Sequence, residues 1–134
     1  MNKLFAVLSL ASAVLFTAAS LGICDNLRDA AASADSASDY ADKAPYAKDA
    51  RDTRTRSREV VDATSEARNA AVDAGAYSAA DYEDEAYQYS RKAAGARTDR
   101  DARFFSKQAA LAADGAKSAI DSDLAKRRAG ARTE

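Results

Sequence analysis

Beyond its first two dozen residues this chain has few side chains with which to build a core. Leu27, Val60, Val61, Val72, Phe104, Phe105, Leu111, Ile120 and Leu124 are the large apolar residues, joined by six tyrosines. Alanine supplies most of the remaining apolar fraction, and burying a methyl-sized group returns only about 0.8 kcal/mol. Chains this poor in large aliphatics are often disordered, but those also carry high net charge. Here 20 Lys and Arg balance 21 Asp and Glu, for a net charge of −1. Charges of both signs are interspersed, which suits solvated helix faces. Ala, Arg and Lys favour helix, β-branched residues are scarce, and there is one proline. No stretch alternates with the period of a strand. The expected fold is therefore all-α and thinly packed.

Met1-Asn2-Lys3, the apolar run Leu4 to Phe16 and the small residues Thr17 to Ser20 follow the order of a secretory signal peptide. The run is shorter than the ~20 residues a spanning helix needs. Residues 1–23 are read as that signal, which makes the chain exported: periplasmic, in the cell envelope, or secreted. Cys24 is the single cysteine, so no intrachain disulfide forms. Leu21-Gly22 before Cys24 resembles the signal of bacterial lipoproteins, with Ile23 where that family has a small residue. The resemblance makes Cys24 a candidate for lipidation and for a membrane anchor. About 110 residues remain, enough for one small domain. Residues 24–45, rich in Asp, Ser and Ala, read as a weak helix or a tether ending at Pro45. Residues 46–134 read as an alanine-rich helical domain.

Two periods compete in that domain. Val60-Val61-Asp62-Ala63 is echoed by Ala71-Val72-Asp73-Ala74, and the same eleven-residue step reaches Tyr82, Ala93 and Phe104. Tyr89 and Leu111 run beside it. Eleven residues make three turns, so such a stripe stays on one side of a long helix or coiled coil. The second period is twenty. Gly75, Gly95 and Gly115 are each followed at the third position by Ser78, Thr98 or Ser118, and at the sixth by Asp81, Asp101 or Asp121. Twenty residues turn a helix through about 2000°, which leaves successive glycines on opposite faces. No single packing face explains that spacing, whereas helix punctuation does. Glycine ends helices, Ser or Thr caps the next, and an acidic residue three further on completes a capping box. The expectation is a bundle of short helices at Arg51–Ala74, Ser78–Ala94, Thr98–Asp114 and Ser118–Ala129, with one long alanine-rich helix as the alternative. Val60, Tyr82, Tyr89, Phe104 and Leu111 form the expected association seam.

Chemistry is sparse. Histidine and tryptophan are absent, which removes His-based nucleophilic systems and the usual zinc and haem ligand sets. Asp81-Tyr82-Glu83-Asp84-Glu85 is the densest acidic run, and it lacks the spacing of a calcium loop. Arg51 to Arg58 is the main basic stretch; export and a near-neutral balance argue against nucleic acid as its partner. No catalytic residue, metal site, cofactor or small-molecule substrate is expected. The composition resembles that of small alanine-rich bacterial outer-membrane lipoproteins, which implies a non-enzymatic structural or interaction protein that orders by helix association. Self-association or another helical protein is the expected partner. The eleven-residue repeats also resemble those of late-embryogenesis-abundant proteins and of exchangeable apolipoproteins. Those resemblances imply a desiccation protectant or a binder of membrane surfaces.

Overall fold

The computed structural model describes residue 22 and residues 25–132. The signal region and Cys24 lie outside the described residues. Those described form α1 (25–43), a 3-10 turn at Ala44–Tyr46, α2 (Ala50–Asp73), α3 (Tyr77–Ala94) and α4 (Asp99–Gly130), with no strand among them. The fold is an all-α bundle. In one interior cluster Leu27, Ala30 and Ala34 of α1 meet Ala71 of α2, Ala79 of α3 and Ala116 and Ile120 of α4. In the other, Ala41 and Ala44 meet Val60, Ala86 and Ala113. Early α1 thus lies beside late α2, early α3 and late α4, which is the up-down-up-down order that short connections impose. The helix α3 packs along both α2 and α4, while α2 and α4 touch across the diagonal.

The connections repeat the punctuation read from sequence at two places of three. After α2, Gly75 takes a φ of 70°, a left-handed conformation open to glycine at little steric cost. Ala76 N–H donates to the Ala71 carbonyl at 2.8 Å and Gly75 N–H to Val72 at 3.0 Å, which closes a Schellman turn. After α3, Gly95 keeps a right-handed φ of −93°, so no left-handed requirement acts there. Thr98 caps α4 by accepting from Asp101 N–H at 3.1 Å. Ser78 does not cap α3: Ala76 is the cap residue, and Ser78 and Asp81 sit exposed within the helix. Pro45 stands in the 3-10 turn and ends α1, as its missing N–H demands.

The third expected junction is not there. α4 runs unbroken for 32 residues through Gly115, Ser118 and Asp121. The glycine serves a different purpose: a Cβ at position 115 would lie 2.9 Å from Cδ1 of Tyr82. Gly115 therefore lets the Tyr82 ring of α3 lie against the α4 backbone. The single long helix is excluded for the whole domain, since the chain reverses at Gly75 and Gly95.

Each connection is also held by a guanidinium. Arg103 donates to the Pro45 carbonyl at 2.8 Å and to the Ala47 carbonyl at 3.0 Å. Arg54 donates to Ala96 at 3.2 Å, and Arg127 to Ala74 at 3.4 Å. Carbonyls near the helix ends lack an intrahelical partner, and a cation there also meets the negative end of the helix dipole.

Candidate functional site

On α3 the inward positions are Ala79, Ala80, Glu83, Ala86, Ser90 and Ala93. Glu83 is 0% exposed, and neither carboxylate oxygen has a hydrogen-bond partner. Burial pushes its pKa from 4.5 up to about 8, with no charged neighbour contributing. The carboxyl is therefore protonated in the folded chain at neutral pH. A buried carboxylate without a partner is too costly to keep charged. The other buried polar groups solve the same problem locally. Thr64 and Ser90 hydroxyls donate to the carbonyls four residues back, Val60 and Ala86, at 2.8 and 2.7 Å. Ser57 and Ser106 share a hydrogen bond of 3.0 Å between α2 and α4. The Glu83 side chain is enclosed within the bundle.

The rest of the acidic run faces outward. Asp84 pairs with Arg68 at 3.4 Å, and Asp81 and Glu85 are exposed. No group of three acidic or cysteine side chains among the described residues is arranged to hold a metal ion. Within the basic stretch, Arg54 closes the α3–α4 connection and Arg56 pairs with Asp52 at 3.3 Å.

The second feature lies outside. The expected seam does not come together as one face. Val60 is buried in the core, whereas Tyr82 packs over Gly115. Tyr89 stacks on Phe105 with ring centroids 6.5 Å apart, and the Lys92 ammonium lies 5.2 Å from the Tyr89 ring. Phe104 and Leu111 point to solvent, 55% and 66% exposed. Phe104 meets Phe105 edge-on at 5.4 Å. Beside Leu111 a shallow groove is lined by Asp42, Pro45, Tyr46, Lys107, Ala110 and Asp114, with Tyr46 itself 78% exposed. Asp114 accepts from the Ser38 hydroxyl at 2.6 Å, tying this groove to α1. The arrangement raises apolar side chains on a helix, with charges of both signs around them.

Sequence reasoning missed Glu83 and the arginine clamps. The signal for Glu83 was its place in the series Ala79, Glu83, Ala86, Ser90, Ala93, whose alternating steps of four and three mark an inward face. The expected seam took Tyr82 and Tyr89 instead, each one residue before an inward position, Glu83 or Ser90. No helix of the described residues is long and apolar enough to cross a membrane. No protein-family model, curated protein or solved structure matches the chain.

Proposed function

We propose that the chain is an exported, non-enzymatic structural or interaction protein of the cell envelope or extracellular space, which gains stability by association. The observation that carries this reading is the placement of apolar bulk. The interior is built largely from alanine, while Phe104, Leu111 and Tyr46 stand in solvent. Ordering a residue costs about 1–2 kcal/mol of backbone entropy, and a buried methyl repays little of it. Leu111 and Tyr46 line one groove, and an exposed apolar patch of that kind marks a contact surface. Export rests on the three-part pattern of Met1 to Ser20, with Cys24 as the candidate anchor.

Circular dichroism tests the association. Helicity and thermal midpoint should rise with protein concentration, with anionic vesicles, or with drying, according to the partner. Indifference to all three contradicts the reading. Mass spectrometry of the mature N-terminus decides export: loss of the first residues supports it, an acylated Cys24 adds the anchor, and an intact Met1 removes it.

A further inference from the structure

The outer face of α4 carries an ordered row of charges, one of which, Asp114, also accepts from Ser38 of α1. Arg100, Lys107, Asp114 and Asp121 recur every seven residues, and all four are exposed. Seven residues fall about 20° short of two full turns, so the four lie along one slowly drifting stripe. Phe104 and Leu111 stand beside it, four residues beyond Arg100 and Lys107. The first two charges are positive and the last two negative. Neither Arg100 nor Lys107 has an ion-pair partner among the described residues.

We infer that this stripe is the contact surface for a second copy of the chain, with the two α4 helices antiparallel. A two-fold axis passing between Ala110 and Leu111 brings Lys107 opposite Asp114 of the partner subunit, and Arg100 opposite Asp121 of the partner subunit. Both pairs occur twice by symmetry, as in any isologous contact. The same operation sets the two Leu111 side chains against each other's Ala110 neighbourhood, where the groove beside Tyr46 receives them. A parallel arrangement places Lys107 against Lys107 and Asp114 against Asp114, so like-charge repulsion selects the antiparallel one. The outer face is thus self-complementary in one direction only.

This pairing rests on the association reading above, and the test separates the two. Sedimentation of the full chain at micromolar concentration should give a dimer that weakens as salt is added. Lys107→Asp sets like charges opposite each other at two symmetric places and should weaken the dimer by about tenfold or more, with helicity unchanged. Leu111→Ser should also give monomers. The double variant Lys107→Asp with Asp114→Lys restores this pair, reversed, at both symmetric places and should restore the dimer. A wild-type chain that is monomeric throughout overturns the pairing. So does a dimer that survives Lys107→Asp, or a double variant that folds and stays monomeric. A monomer whose helicity still rises on anionic vesicles loses the pairing and keeps the association reading.

Discussion

The two faces of α4 invert the usual distribution of bulk. Inward stand Ala102, Ser106, Ala109, Ala113, Ala116 and Ile120; outward stand Phe104 and Leu111. Small inward residues let the helices approach closely, and Gly115 under the Tyr82 ring takes that closeness to its limit. A bundle this narrow takes in Leu27, Val60 and Ile120 but leaves Phe104 and Leu111 outside. Those two remain outside and give the outer face its apolar character. The lesson is that in an alanine-built bundle side-chain size alone does not mark the core: Ala113 is inside and Leu111 outside on the same helix.

Glu83 is the sharpest challenge to the inner half of that comparison, because it is the one large polar side chain among the methyls. Its folded pKa of about 8 lies above the ordinary 4.5. The proton is held more tightly in the folded chain, so the stability it contributes is complete below pH 4.5. That stability drains away as pH rises towards 8, at about 1.4 kcal/mol per unit, and is then lost. Denaturant titrations across this window should show the fall in the wild type and a flat profile in Glu83→Gln. A flat wild-type profile means that the carboxyl is solvated. Glu83→Met should make the chain more stable than wild type at pH 9.

The glycines probe closeness with smaller effects. Gly75→Ala forces a side chain into a left-handed backbone and should cost about 1 kcal/mol or more. Gly95→Ala, at a right-handed position whose Cβ would meet only the Arg91 carbonyl at 3.5 Å, should stabilise by about 0.4–1 kcal/mol. Gly115→Ala gains about 1 kcal/mol of helix propensity and loses a similar amount to the Tyr82 ring, which is half-exposed and can shift. Thermal melts should place it within about 0.5 kcal/mol of wild type. Clear destabilisation in all three variants would revive a break at Gly115.

Those three glycines also show what sequence could and could not convey. Each stands before the same Ser-or-Thr and Asp pattern, and at Gly95 the pattern does cap the next helix through Thr98 and Asp101. At Gly75 the left-handed turn is real although Ser78 plays no part in it. At Gly115 the identical letters answer to a tyrosine on another helix, a constraint that local sequence does not encode. The all-α class, Pro45 and two of the three reversals were legible because they depend on backbone chemistry alone. Inside and outside were harder to read. Where alanine is the core residue, hydrophobic size no longer marks the buried face, and the aromatics at Tyr82, Phe104 and Leu111's stripe drew the eye outward. Residues 25–43 show the same ambiguity: an Asp- and Ser-rich segment forms a helix whose inward side is Leu27, Ala30, Ala34, Ala37 and Ala41.

The inversion is tested most directly by exchanging the same two residue types two positions apart on one helix. Leu111→Ala removes bulk from the outer face, and Ala113→Leu adds it to a position that is 0% exposed. Denaturant unfolding should be measured at a concentration low enough that single chains predominate. There Leu111→Ala should lie within about 0.5 kcal/mol of wild type, and Ala113→Leu should lose about 1–3 kcal/mol through overpacking. A Leu111→Ala variant that loses about 2–5 kcal/mol, beside an Ala113→Leu variant that unfolds like wild type, would place the core on the opposite face and contradict the account.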